Sequence, residues 1–370
     1  MTEIYLIRHT QAEGNRYRIM QGHWDGSVTA LGEQEIELLA ERFREVPVDA
    51  VYASDLYRAR RTADAVTRWG ARPLHVDPRL REIHVGPWET QFFGNVKHDD
   101  PETARRFLQE QDSFFLPGAE TYAQVGERAL AALRDIQRAC EGGCAVIVSH
   151  GVTLRSLLSR LLDIPLRDTQ ALPLCPNTGV THLFLDGERV ILDYLNDASH
   201  LAPLGDLSWG RVGDVRHERF NPADDPAFYR ACYADAWLGV HGSLEGYSEA
   251  VYFNAAVAHH RADPDSVLRM LIGDETVGLV DLDTQRGRYA GYGWLSLLYL
   301  KPEYRCKGCG IQLLARAYRH YAVLGRKRLR LNVDAANEIA RHFYRREGFR
   351  EIGREGTLLL LEKELEARHD

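Results

Sequence analysis

Apolar and polar positions divide the 370-residue chain into two stretches with different rhythms. In residues 1–200, short apolar runs alternate with segments whose apolar positions recur every three or four residues. EIYLIR (3–8) is a run of strand length, and LGEQEIELLAERFREV (31–46) sets Ile36, Leu39, Ala40 and Phe43 at helical spacing. VDAVYAS (48–54) predicts a second strand and LYRARRTADAVTRW (56–69) a second helix. ETYAQVGERALAALRDIQRAC (120–140) puts Tyr122, Val125, Ala129, Leu133 and Ile136 on one helical face and stops at EGG. CAVIVS (144–149) is apolar throughout, as a strand buried on both faces must be. VTLRSLLSRLL (152–162) predicts a helix that stops before Pro165, and THLFLDGERVILDYL (181–195) a hairpin turned at Asp186-Gly187. Strands alternating with helices predict a parallel-rich sheet covered on both faces.

The rhythm dissolves over HLAPLGDLSWGRVGDVRHERFNPADDP (200–226), which is rich in Gly, Pro and Asp. The expected division is a first domain at 1–200, a linker at 201–224 and a second domain at 225–366. The second domain opens with two helical segments, AFYRACYADAWLGV and SEAVYFNAAVAHH. Strands SVLRMLIGD, ETVGLVDLD and YGWLSLLYL follow, then helix, strand, helix and a last strand GTLLLLEKEL. That order is mixed α+β.

Composition narrows the setting. A net charge of −7 argues against a general nucleic-acid binder or a basic membrane-surface protein. No apolar run approaches the roughly 20 residues that span a bilayer. The start MTEIYLIRHTQ lacks the basic region and cleavage site of a secretory signal. Six cysteines without repeated spacing suit free thiols in a reducing compartment. The expectation is a cytoplasmic protein, with the oligomeric state open.

Four polar elements fall at, or just beyond, the carboxyl ends of first-domain strands: Arg8-His9, Arg58, Glu82 and His150. Ligands of open α/β sheets sit in the crevice at those ends. Two guanidinium forks and two imidazoles suit a phosphate dianion. A neutral imidazole can attack phosphorus, and a carboxyl can protonate the leaving oxygen and then activate water. A metal held by His9, His150 and Glu82 is the rival reading. Two fixed positive charges beside it disfavour a divalent cation.

At these residues the chain resembles the histidine phosphatase (phosphoglycerate-mutase-like) superfamily. LIRHTQAEGN, QGHWDGSVTALG, VYASDLYRARRTA, LREIHVGPWE and VSHG match its motifs in family order across residues 1 to 200. The resemblance implies a three-layer α/β/α fold, with His9 as the phosphorylated nucleophile and Glu82 as proton donor. It implies Arg8, Arg58 and His150 as phosphate ligands, with Asn15 and Gln21 at further phosphate-pocket positions. Thr10, Gln11, Ser27 and Thr90 stand where the family usually has Gly, Glu, Pro and Gly. None of these removes a reacting group, so they bear on substrate preference. The short segment after Glu82, with LPGAET, is closer to the phosphatase members than to the mutases with their longer insertion.

In the second domain, YLKPEYRCKGCGIQLLARAY reads as strand, glycine turn and helix, with Arg305 and Lys307 adding positive charge. Glycines admit a close ligand, and a helix N-terminus offers free N–H groups to an anion. Cys306 and Cys309 also spell C-x-x-C, but no second ligand pair accompanies them, so metal is not expected. The Arg305, Gly308, Gly310 spacing resembles the acetyl-CoA loop of the GNAT acetyltransferase superfamily. LNVDAANEIARHFYRREGFREIG resembles its later motif, with Asn337 and Tyr344 at the characteristic places. The resemblance implies pyrophosphate held on the backbone of residues 305–310, including Cys306, Lys307 and Cys309. It implies pantetheine along WLSLLYL, at Leu298 and Leu300, and Tyr344 as the acid for the departing thiolate.

Together these features predict a phosphatase fused to an acetyl-CoA-dependent N-acetyltransferase. Its expected partners are a small phosphorylated substrate and an amine acceptor. A phosphoglycerate-type mutase, or a phosphatase carrying a non-catalytic acetyl-CoA sensor, is the alternative.

Overall fold

The computed structural model describes residues 1–70, 72–205 and 214–365. The chain forms two compact units that part near residue 207. The first contains β1 (Thr2–Arg8), α1 (Glu13–Tyr17), α2 (Ala30–Arg42), β2 (Ala50–Ala53), α3 (Tyr57–Thr67) and β3 (Leu74–Val76). It continues with α4 (Phe93–Asp99), α5 (Pro101–Gln109), α6 (Tyr122–Ala139), β4 (Cys144–Ser149), α7 (Gly151–Leu161), β5 (Val180–Asp186) and β6 (Arg189–Asp197).

Its sheet has the order β3-β2-β4-β1-β5-β6. The first four strands run parallel and the hairpin β5–β6 runs antiparallel beside them. Side chains alternate between faces along a strand, and here both faces are buried. Ile4 and Leu6 of β1 and Ile147 of β4 pack with Leu133 of α6 and Leu154 of α7. Ile7, Val146 and Val148 pack on the other face with Ile36 and Leu39 of α2 and Val66 of α3. That is why CAVIVS carries no polar position before its end. The parallel strands deliver Arg8-His9, the start of α3, the loop after β3 and His150 to one edge of the sheet.

The second unit contains β7 (Val215–Arg219), α8 (Pro226–His241), α9 (Glu249–Ala262), β8 (Val267–Ile272), β9 (Glu275–Asp283) and β10 (Tyr292–Leu300). It closes with α10 (Cys309–Val323), β11 (Arg328–Asp334), α11 (Glu338–Arg346), β12 (Arg350–Glu355) and β13 (Leu358–Glu364). The sheet order is β12-β13-β11-β10-β9-β8-β7. β10 and β11 are parallel and pair only from Tyr292↔Arg328 to Leu295↔Leu331. β10 then continues alone on that side to Leu300, past an irregularity at Leu295/Leu297 in its pairing with β9.

The expected linker needs correction. Val215–Arg219 lies inside it yet forms the edge strand β7, paired with β8. Val215 and His217 are buried on alternate positions, so the segment is half-buried strand rather than connection. Positions 206–213 of that linker, and 366 at the end of the second domain, lie outside the described residues. Among the described residues no helix is long and apolar enough to cross a membrane.

Candidate active site

His9 follows β1 directly and is 2% exposed. Its Nδ1 lies 2.6 Å from the carbonyl oxygen of Thr10. A carbonyl only accepts, so the neutral ring carries its proton on Nδ1 and keeps the lone pair on Nε2. Burial, and then the charges of Arg58 and Arg8, hold the His9 imidazole well below its ordinary range. The ring is therefore neutral at neutral pH, a form that could act as a base or nucleophile. His150 caps the start of α7, with its ring centroid 5.0 Å from that of His9. It is fully buried, and among the described residues neither ring nitrogen has a partner. Burial first, then Arg58 and His9, depress it as well. Two buried imidazole nitrogens without a bond are costly unless a ligand supplies one.

Arg8 donates to the carbonyl of Cys175 at 2.5 Å, and its buried Nε has no partner among the described residues. Arg58 is completely buried in α3. It donates to the carbonyls of Trp24 at 3.0 Å and Gly22 at 2.8 Å and reaches Asp25 at 3.5 Å, and its Nε also has no partner among the described residues. Burial lowers its pKa. Arg58 thus anchors the 21–25 loop while its charge acts on both histidines. Gln21 in that loop donates to Asn15 Oδ1 at 3.2 Å, and its own buried Oε1 has no partner among the described residues. A Cβ at Gly14 would lie 2.3 Å from the Gln21 side chain, so glycine there admits the Gln21–Asn15 contact.

Glu82 meets the opening of α7. Its carboxylate accepts from Val152 N at 3.2 Å, Thr153 N at 3.1 Å and the Thr153 hydroxyl at 3.2 Å. These are the free amides of a helix N-terminus. A side chain at Gly151 would touch Arg8 Nε at 3.5 Å and Glu82 Oε2 at 3.9 Å, so both groups converge there. His9, His150, Arg8, Arg58 and Glu82 are thus brought to one edge of the sheet.

Several supports escape the sequence reading. Arg128 of α6 donates to the carbonyls of Arg79, Arg81 and Glu82 at 2.7, 2.7 and 2.9 Å, and pairs with Glu120 at 2.8 Å. Ser149 and Thr153 hold the carbonyls of Leu80 and Arg81, each at 2.7 Å. The backbone that carries Glu82 is therefore fixed from α6, β4 and α7. Thr10 takes a structural place: its hydroxyl meets Gly32 O at 2.7 Å and buried Glu35 at 2.8 Å, and its amide donates to Thr62 at 2.9 Å.

In the second unit, β10 beyond Leu295 presents an edge that β11 has left, with Leu298 half-buried and Leu300 buried on it. Gly308, the N-cap of α10, has φ +84, and Cys306 has φ +57. At Gly310 an added Cβ would meet only ordinary contacts, Phe343 at 3.5 Å and Leu300 at 3.6 Å. Internal packing therefore does not demand glycine at 310, whereas a closely approaching ligand would. The open edge and the α10 N-terminus fit a pantetheine-pyrophosphate chain. Arg305 differs from expectation: its guanidinium donates to Asp235 at 2.7 Å and to the Leu300 carbonyl at 2.9 Å. Its side chain fastens the loop, leaving the backbone to face an anion. Lys307 is exposed, with Nζ 5.9 Å from the Tyr304 ring centroid. Cys309 is fully buried and Cys306 exposed. Asn337 caps α11 by accepting from Ala340 N at 3.0 Å. Tyr344 is buried against Phe343 and Phe349, and burial raises its phenol pKa, which keeps the proton in place.

Comparison with known proteins matches residues 4–198 to the histidine phosphatase superfamily (branch 1) and residues 228–349 to the acetyltransferase (GNAT) family. The first domain is 32% identical over 165 residues to the provisionally named phosphoglycerate mutase GpmB of Escherichia fergusonii, covering 45% of this chain and 77% of that protein. It is 31% identical over 204 residues to the provisionally named phosphoserine phosphatase 2 of Hydrogenobacter thermophilus, covering 55% of this chain and all of that one. The solved structure of Bacillus stearothermophilus YhfR is 34% identical with a TM-score of 0.53, over 54% of this chain and all of YhfR. The chain belongs to the histidine phosphatase superfamily and carries a GNAT acetyltransferase domain fused behind it.

Proposed function

We propose that this fusion is a bifunctional enzyme: a phosphomonoester hydrolase working through phosphohistidine, and an N-acetyltransferase using acetyl-CoA. The observation that carries the first half is the His9 tautomer, with Nδ1–H tied to Thr10 and Nε2 left for phosphorus, near the His150 ring nitrogens and the Arg8 Nε, which have no partner among the described residues. Nε2 attacks phosphorus and the ester P–O bond breaks. Glu82 gives the leaving oxygen its proton, and the guanidiniums and His150 stabilise the transferring oxygens. Glu82 then takes a proton from water as its oxygen attacks phosphorus and the Nε2–P bond breaks. The relatives' names cover both a mutase and a phosphatase. Only α4 and α5 and short turns lie between Glu82 and α6, which favours water over a second substrate oxygen as acceptor.

In the second domain acetyl-CoA, when bound, supplies a thioester as acetyl donor. The β10 edge at Leu298 and Leu300 and the backbone of 305–310 hold it, and Tyr344 keeps a proton for the departing thiolate. The acceptor is an amine of a small metabolite. Six unpaired cysteines support a cytoplasmic setting. Among the described residues no group of His, Cys, Asp and Glu is arranged to hold a metal ion. The test is a phosphometabolite and amine library with and without acetyl-CoA, read by mass spectrometry, in the presence and absence of EDTA. The reading requires phosphate release that survives EDTA and an acetylated product that needs acetyl-CoA.

A further inference from the structure

Two loops of the first domain meet beside the strand-end site. One, at 21–25, carries Gln21 and is tied to Arg58 through the carbonyls of Gly22 and Trp24. The other, at 82–92, carries Glu82. The sequence joins them at GPWET (86–90). Trp88 is buried, with its ring centroid 5.9 Å from those of both Phe107 and Phe114, and this fixes the backbone on which Glu89 stands. The half-buried Glu89 turns its carboxylate across to the other loop. Its Oε1 accepts from His23 N at 2.8 Å and its Oε2 from Trp24 N at 3.0 Å. Oε1 also meets Val85 N, in its own loop, at 3.3 Å.

The crossing is built for close approach. A Cβ on buried Gly22 would lie 2.3 Å from Glu89 Oε1 and 2.4 Å from the Ile83 carbonyl oxygen, so the contact requires glycine there. Thr90 donates its N–H to the Met20 carbonyl at 2.9 Å, and Met20 N donates to the Gln91 carbonyl at 2.8 Å. To do so Thr90 holds φ +68, a left-handed conformation that is costly for a β-branched residue. Such strain persists only where the surrounding contacts over-determine it. The His23 ring reaches back in turn, its Nε2 donating to the Glu82 carbonyl at 3.0 Å.

We propose that Glu89 is a positioning residue for phosphoryl transfer: its carboxylate locks the 21–25 loop to the Glu82 loop and so sets the proton donor against the phosphate cradle. The inference rests on the phosphatase reading and adds a residue to it. A carboxylate suits the place because it accepts from several N–H groups and has none to donate. Glutamine in the same space turns an NH2 toward one of those N–H groups. A misplacement on the order of 1 Å in a reacting group costs roughly 100-fold in rate.

The experiment compares phenyl phosphate with para-nitrophenyl phosphate, similar esters of which only the first needs a proton on its leaving oxygen. The readout is kcat/KM, which covers the steps up to phosphorylation of His9. Glu89→Gln should lose roughly 10- to 100-fold on phenyl phosphate and at most about 3-fold on the nitrophenyl ester. Glu89→Asp keeps the charge but is one methylene short, and should fall between wild type and Glu89→Gln. Should Glu89→Gln not fold, Glu89→Asp carries the same comparison. In Glu82→Gln the proton is already gone, so adding Glu89→Gln should cost at most about 3-fold more. Melting temperatures report folding separately. Equal losses on the two esters, additive losses in the double variant, or wild-type rates in Glu89→Gln each overturn the proposal and leave the phosphatase reading standing. Failure of both Glu89 variants to fold makes the residue structural and overturns it too. A wild type that hydrolyses neither ester, or only the nitrophenyl one, removes proton donation by Glu82 and takes the phosphatase reading and this proposal with it.

Discussion

The Nδ1–H of His9 meets the carbonyl oxygen of its neighbour Thr10 at 2.6 Å, which turns the other ring nitrogen toward the site as a free base. Burial and the two arginines depress the imidazole, so protonation does not disable it in the usual range. The acid limb of kcat/KM, corrected for substrate ionisation, should therefore lie below pH 6.5. A limb centred at or above 6.5 contradicts the depressed histidine.

Arg128 holds three backbone carbonyls, those of Arg79, Arg81 and Glu82, from a helix 46 to 49 residues away. Removing it as Arg128→Met should displace the Glu82 carboxyl. The kcat for an alkyl phosphate should fall by roughly 100-fold. For para-nitrophenyl phosphate, whose leaving group needs no proton, the fall should be much smaller. Equal falls for both esters place the effect in folding rather than in proton donation.

At Gly310 the fold tolerates a methyl group, since the contacts it would make are at 3.5 and 3.6 Å. Gly310→Ala should leave the melting temperature close to wild type, and Gly310→Trp should weaken acetyl-CoA binding, read by calorimetry. Cys309 is fully buried, so Cys309→Ser costs stability by burying a hydroxyl. The exposed Cys306 should accept serine freely. Unaltered acetyl-CoA affinity in Gly310→Trp counts against the loop assignment.

His259 of α9 bridges buried Asp281 at 2.7 Å and Asp283 at 3.5 Å, and Tyr229 donates to the same Asp281 at 2.8 Å. Burial pulls its pKa down, but the bonds to Asp281 and then Asp283 outweigh this and raise it to about 9. A histidine raised on folding stabilises fully below its unfolded value near 6.5 and loses that contribution as pH rises through about 9. The melting temperature of wild type should fall between those pH values, and His259→Gln should flatten that stretch. A wild type that is level from pH 6 to 10 contradicts the ion pair.

The strand-ends and motif residues were legible because they follow from local pattern. β1 and β4 are apolar because both faces are buried, so their polar ends mark the site. β3 was not legible: Leu74–Val76 is three residues long and exposed at every position, so no burial pattern marks it. β7 was readable in principle from buried Val215 and His217, but its Gly- and Asp-rich surroundings masked a five-residue alternation. Arg128 looks like an ordinary helix-surface cation in sequence. Besides Glu120, its partners are distant backbone carbonyls, which no spacing rule reveals. Arg305 shows the converse: its motif position is clear, but its ion pair with Asp235 depends on tertiary placement 70 residues apart.

The central claim is covalent chemistry at His9, and the direct measurement is capture of the phosphoenzyme. The full chain is mixed with a phosphomonoester, quenched in alkali to preserve phosphoramidate, digested and read by tandem mass spectrometry. The account predicts one phosphoryl group on the peptide containing His9, absent from His9→Ala and accumulating in Glu82→Gln. A wild type that releases phosphate with no phosphoryl adduct, or with the adduct on another residue, contradicts it.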